Sequence, residues 1–123
     1  MNAQRIRELN DAFRSTFSGG KVVMTNSVYE LPDCVRANAL VKVAKFSEFT
    51  RDNDPYEEHD FGFFNLVGRT FYWKIDYYDE RCEYGSLDPA DPEKTTRVLT
   101  LKRDDIRFAH ILRFRSNWRI PLA

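Results

Sequence analysis

The sequence predicts an α+β domain: a mainly antiparallel sheet of about four to five strands with two helices packed on one face, in two layers. Three observations carry that prediction. Two stretches near the front repeat apolar residues at helical spacing, the stretches between residues 61 and 102 alternate apolar and polar residues, and the strands are joined by hairpin or loop connections that favour antiparallel neighbours. A chain of 123 residues has room for one such core and not for two.

The first helix is expected over residues 3–17, where Ile6, Leu9, Phe13 and Phe17 form one apolar stripe on a polar cylinder. Ser18-Gly19-Gly20 stops it, because glycine takes the left-handed conformation that a helix end favours. Lys21 to Thr25 is short and β-branched and reads as a strand. Ser27-Val28-Tyr29-Glu30 has the form of a capping box, so one helical turn is expected there before Leu31-Pro32 interrupts it. The second helix runs from Asp33 to about Lys45, with Val35, Ala39, Val43 and Phe46 on its stripe and Arg36, Lys42 and Lys45 off it. Both helices therefore need a sheet to cover one face.

From Phe46 the period changes. Phe46 to Thr50 fits a short strand, and Arg51 to Glu58 a polar loop. Phe61 to Leu66 is the next strand, with Val67-Gly68 at the position of a hairpin turn. Thr70 to Tyr78 is the strongest strand signal: Phe71, Trp73, Ile75 and Tyr77 share one face, Tyr72, Lys74, Asp76 and Tyr78 the other. With helices on the Trp73 face, the Tyr-rich polar face is expected to meet water. Asp79 to Lys94, punctuated by Asp88-Pro89 and Asp91-Pro92, reads as an exposed loop long enough to imply a role. Thr96 to Lys102 alternates again, with Leu99 and Leu101 opposite Val98 and Thr100. The expected organisation is one domain over residues 1–102 and a basic C-terminal extension over 103–123, in which Asp104 is placed to cap a short helix carrying Phe108, Ala109 and Leu112.

The net charge is zero, but its parts are uneven: +3 over residues 1–47, −9 over 48–93 and +6 over 94–123. Such a layout steers a charged partner, within a screening length of roughly 10 Å, unless folding neutralises the segments against each other. No apolar run has the length of a membrane span, and Met1-Asn2-Ala3-Gln4-Arg5 opens no signal peptide. Cys34 and Cys82 show no CxxC spacing, which disfavours a zinc knuckle or a disulfide scaffold and fits a reducing cytoplasm, with Cys34 expected in the core.

Several long motifs go together: Asp52 to Gly62, Phe71 to Asp79, Glu83-Tyr84-Gly85-Ser86, Asp88 to Pro92, Arg97-Val98-Leu99-Thr100, and Ile6 to Phe13 at the front. Across residues 5–101 the chain resembles a bacterial domain-of-unknown-function family, number 3768 in that series. The resemblance implies a small single-domain protein of the kind often encoded on plasmids and phages of alphaproteobacteria. It implies no established activity, substrate or catalytic residue. It also implies members that end soon after the Arg-Val-Leu-Thr strand, so the basic tail here is an addition or a divergence.

Asp52, Asp54, Glu57, Glu58, His59 and Asp60 form the densest polar cluster. A calcium loop starting at Asp52 fails, because Glu57 stands where glycine is required and Phe63 where a bidentate glutamate is required. A small metal-dependent phosphodiesterase or nuclease is the enzymatic alternative, with His59, Asp60 and Asp76 as its set, Asp79 nearby and Lys74 stabilising developing charge. Against it, Lys74 and Asp76 are placed to pair with each other and His59 to bridge a turn. A second alternative is nucleic-acid binding through Lys102, Arg103, Arg107, Arg113, Arg115 and Arg119, interleaved with Phe108, Phe114 and Trp118. The competing structural reading packs Phe114, Trp118 and Ile120 on the sheet while the arginines meet the acidic middle.

The leading expectation is a non-enzymatic binding protein with no cofactor or metal. Asp52, Asp54, Glu57, Glu58, Asp60, Tyr72, Asp76, Tyr78, Asp79 and Tyr84 would form its partner-binding surface. The partner would be a basic nucleic-acid-handling protein, and the specific version is an inhibitor of a host defence complex such as a CRISPR effector.

Overall fold

The computed structural model describes residues 2–104. The elements run in the order α1 (Ala3–Thr16), β1 (Gly20–Met24), α2 (Asn26–Tyr29), α3 (Asp33–Lys45), β2 (Phe61–Leu66), β3 (Arg69–Tyr78) and β4 (Thr96–Asp104). This is an α+β fold with one four-stranded sheet in the order β1-β4-β3-β2. The β2–β3 and β3–β4 pairs are antiparallel, and β1 joins the edge parallel to β4. Three helices are present among the described residues, one more than the two long apolar stripes announce, and none is long and apolar enough to cross a membrane.

Local chemistry explains the element ends. Asn2 caps α1 by accepting a hydrogen bond from the Arg5 N–H, and Phe17 closes the helix in the left-handed conformation, its N–H donating to the Phe13 carbonyl. The one-turn α2 starts two residues earlier than the Ser-x-x-Glu pattern implies. Thr25 occupies the cap, no side chain caps the turn, and the Ser27 hydroxyl instead donates to the Arg103 carbonyl across the sheet end. Val67 and Gly68 both have positive φ, the geometry of a two-residue turn whose twist matches the strands it joins.

Phe71, Trp73 and Ile75 of β3 and Leu99 and Leu101 of β4 pack beneath Phe13, Val28, Ala39 and Val43 of the three helices. The stripes and the alternation read from the sequence therefore meet in one cluster. Gly62 sits opposite Trp73 in the β2–β3 ladder, and a β-carbon there would lie 2.6 Å from the indole Nε1. Only glycine lets that ring lie across its neighbour strand.

Three expectations are corrected. Phe46 to Thr50 forms no strand: Phe46 and Phe49 turn inward and meet Trp73 edge-to-face, at 5.7 and 6.3 Å between ring centres. Cys34 is exposed, because it lies in the first turn of α3 off the buried stripe. The face of Tyr72 is not open to water, since Tyr72 is 1% exposed and packs with Phe61 and Phe63.

Candidate functional site

The two acidic stretches, residues 46–60 and 79–93, are held in opposite ways. In the first, Arg14 of α1 reaches under the loop and donates to the carbonyls of Val43 (2.7 Å) and Phe46 (2.9 Å), at the open end of α3. Its guanidinium also lies 5.3 Å from the Phe49 ring and 5.0 Å from the Trp73 ring. Burial lowers the Arg14 pKa from its ordinary value, and the bond to Asp11 works the other way.

Within that loop the Asn53 side chain accepts from the Thr50 N–H and donates to the Glu48 carbonyl, closing a turn. Asp54 is buried, and its Oδ1 accepts from the N–H groups of Glu58 and His59. The His59 ring stacks on Phe49 at 3.8 Å. Its Nδ1 lies 2.9 Å from Asp11 and its Nε2 3.6 Å from Asp54, so the imidazole bridges a carboxylate of α1 and one of the loop. Arg7 and Asn10 of α1 donate to the carbonyls of Glu57 and Glu58. These bonds hold Glu57 and His59 at positive φ, where non-glycine residues rarely sit. A cleft of about 620 Å³ remains beside the loop, lined in part by Arg7, Phe49, Arg51 and His59.

A polar network continues inward from this clasp. The Tyr77 hydroxyl donates to Glu58 (2.8 Å) and accepts from Asn10 (2.8 Å), while Asn10 accepts from Arg97 Nε (2.7 Å). Burial, with the nearby Asp60 and Glu58 carboxylates adding to it, pushes the Tyr77 hydroxyl well above the ordinary tyrosine pKa. Burial lowers the Arg97 guanidinium.

The second stretch is pinned at its base and open at its tip. Asp79 Oδ1 accepts from the N–H groups of Arg81 and Glu83, Gly85 pairs with Tyr78, and the Thr95 hydroxyl donates to the Asp88 carbonyl. The backbone bond from Glu83, foremost among these, holds the Asp79 carboxyl below the usual range. Beyond these anchors, Glu80, Glu83, Asp88 and Glu93 are exposed, beside Tyr84 at 73% and Leu87 at full exposure. None of those four carboxylates makes an ion pair with a described residue.

The residues expected to form one partner-binding surface are thus divided. Asp52, Glu57 and Tyr84 are exposed. Asp54 and Tyr72 are buried; Glu58 is bonded to Tyr77, and Asp76 lies 2.6 Å from Lys74. Asp60, Tyr78 and Asp79 are half-buried. The enzymatic set is not brought together either. His59 faces α1, the Asp60 backbone pairs with Ile75, and Asp76 lies on the other side of the sheet with Lys74. No group of three or more His, Cys, Asp or Glu among the described residues is placed to hold a metal ion. Of the nucleic-acid set, Lys102 and Arg103 lie in β4; Arg107, Arg113, Arg115 and Arg119, like the helix expected after Asp104, fall outside the described residues.

Sequence reasoning missed Asn10, Asp11, Arg14 and Arg97. Their polarity on otherwise ordinary elements was the available signal: Asn10 and Arg14 flank the α1 stripe, and Arg97 stands in an apolar strand.

Residues 24–104 match the model of a family described as "Protein of unknown function (DUF3768)", and the chain belongs to that family. The match starts later than the resemblance traced from the motifs, leaving out α1 and most of β1, and ends with β4. No curated protein and no solved structure matches the chain.

Proposed function

We propose that this member of the DUF3768 family is a non-enzymatic protein-binding module that engages a basic partner through the loop of residues 79–93. One observation carries the reading: the loop's base is fixed by backbone-directed bonds while Glu80, Glu83, Asp88 and Glu93 point outward, unpaired with any described residue, around Tyr84 and Leu87. Carboxylates unmatched among the described residues steer a cationic partner, and an exposed tyrosine and leucine at their centre supply the apolar contact that fixes it. Asp52, Tyr56 and Glu57 add exposed surface on the other loop, whereas Asp54, Glu58 and Tyr72 belong to the fold.

The partner class is a nucleic-acid-handling protein, whose basic groove an acidic loop can occupy. The narrower form is a phage- or plasmid-encoded inhibitor of a host defence complex such as a CRISPR effector; what supports it is the mobile-element setting that the family resemblance implies, together with the charge of the loop.

The test is affinity capture from a bacterial host with the tagged chain, its E80K/E83K/D88K variant and its Tyr84→Ala variant, in rising salt. A basic protein retained by the wild-type chain, released by salt and lost in both variants is the expected result. Retention that ignores charge reversal and salt, or no basic protein retained, overturns the reading.

A further inference from the structure

We propose that copies of this chain associate head to tail, the loop of residues 79–93 of one copy seated in a groove between α3 and β2 of the next. Two apolar side chains that the core does not use carry the idea. Leu87 stands fully exposed in the loop, among the exposed acids Glu80, Glu83 and Asp88. Val41 lies off the buried Ala39 and Val43 stripe of α3 and is 49% exposed, with Lys42 beside it and Lys45 one turn on. The groove there has a volume of about 550 Å³ and is lined in part by Val41, Lys42, Lys45, Phe46 and Phe64. Neither lysine makes an ion pair with a described residue. Each apolar residue is thus ringed by charge of the sign opposite to the other's. Glu48 also lines the groove, and the loop brings Arg81 and Lys94 to meet it. In such a pairing the leucine supplies the anchor and the charges set the approach and the orientation.

The sheet register sets the two surfaces apart. Phe64 pairs with Phe71 and Asn65 with Thr70 near the start of β3, whereas the loop leaves β3 after Tyr78. From Phe71 to Tyr78 is roughly 24 Å along the strand, at about 3.4 Å per residue. The Gly85–Tyr78 bridge and the bond from Thr95 to the Asp88 carbonyl hold the loop at that far end, away from its own groove. The contact is therefore heterologous: each copy gives its loop to one neighbour and its groove to another, and the series closes into a ring or runs on. This association rests on the same outward loop as the partner-binding reading and adds a regulation of it, because a seated copy occupies the surface that the basic partner needs.

Sedimentation velocity of the purified full chain over rising concentration tests it. The sedimentation coefficient is expected to climb with concentration at low salt and to return to the monomer value as salt screens the charges. Leu87→Asp spoils the loop's apolar contact and Val41→Asp the groove's, and each alone should weaken association about 100-fold, as should K42E/K45E. An equimolar mixture of the Leu87→Asp and Val41→Asp chains should form dimers and nothing larger, since one intact loop then meets one intact groove. A wild-type chain that stays monomeric throughout overturns the proposal, as does association that survives either aspartate, or a mixture that fails to dimerise. Circular dichroism reports folding, and if Val41→Asp fails to fold, K42E/K45E takes its place in the mixture. Because Val41→Asp leaves the loop intact, its capture of a basic protein is read separately: self-association can fail with capture retained, and capture can fail with self-association retained.

Discussion

The loops of residues 46–60 and 79–93 carry similar charge in sequence and opposite fates in the structure. In the first, Asp54 is buried under two backbone N–H groups and His59 is bridged to Asp11, so the acids serve to fasten the loop to α1. In the second, Asp79 and Asp91 fold turns while Glu80, Glu83, Asp88 and Glu93 are exposed. The difference lies in what faces each loop. Helix α1 offers Arg7, Asn10, Asp11 and Arg14 to the first, whereas the second is met by Thr95 and Arg97, which bond to its Ser86 hydroxyl and its carbonyls. Charge density along a chain therefore says little about surface charge until the opposing element is known.

The strongest way to break the comparison is at Arg14. Arg14→Ala takes the guanidinium donor from the Phe46 carbonyl, leaves the Val43 carbonyl only the long bond from the Phe46 N–H, and empties the space beside Phe49 and Trp73. A loss of about 3–5 kcal/mol is expected in urea unfolding, because buried carbonyls lose a charged donor and the side chain leaves a gap against two aromatic rings. A loss below about 1 kcal/mol would mean that the first loop is as loosely held as the second.

Asp54→Ala against Asp88→Ala is the direct comparison of one acid from each loop. The first removes the acceptor of two backbone N–H groups and a neighbour of His59, and about 2 kcal/mol should be lost. The second removes an exposed carboxylate, and stability should stay within about 0.5 kcal/mol. Equal losses would erase the distinction.

The network behind the first loop gives a pH test. Tyr77→Phe should cost about 1 kcal/mol, since the Glu58 and Asn10 partners stay in place without the hydroxyl between them. Burial raises the folded-state pKa of Tyr77 above its unfolded value, so the hydroxyl's contribution is complete below about pH 10 and declines as pH rises further. The ionisation that Tyr77→Phe removes from the ultraviolet titration should coincide with unfolding in alkali.

The legible part of this molecule is what neighbouring residues decide. The α1 and α3 stripes, the Phe71-Trp73-Ile75 alternation and the Val67-Gly68 turn depend on spacing within a few residues, and each stands as read. What escaped depends on distant partners. Phe46 to Thr50 fits a short strand by composition, but Arg14, more than thirty residues earlier, draws the segment inward. Asn10 meets Arg97 across 87 positions, and β1 pairs with β4 instead of its chain neighbours. Alternation sets Tyr72 on the face opposite the helices, and the burial of that face has no local signature. The candidate site split along the same line: Tyr84 was readable as exposed from its turn-rich surroundings, while Asp54 and Glu58 needed α1 to be in place.

The smallest expected effect is the most informative about function. The E80K/E83K/D88K variant changes the loop's charge by six, yet its urea stability should remain within about 0.5 kcal/mol of the wild-type chain, because none of the three carboxylates is buried or paired with a described residue. Surfaces under no structural demand are free to be shaped by what they bind, and a run of acids that costs nothing to reverse is not there to hold the fold. A loss above about 1.5 kcal/mol would show these acids fastening the chain as Asp54 does. The two loops would then differ in degree only, and the outward patch would have to be sought among Asp52, Tyr56 and Glu57.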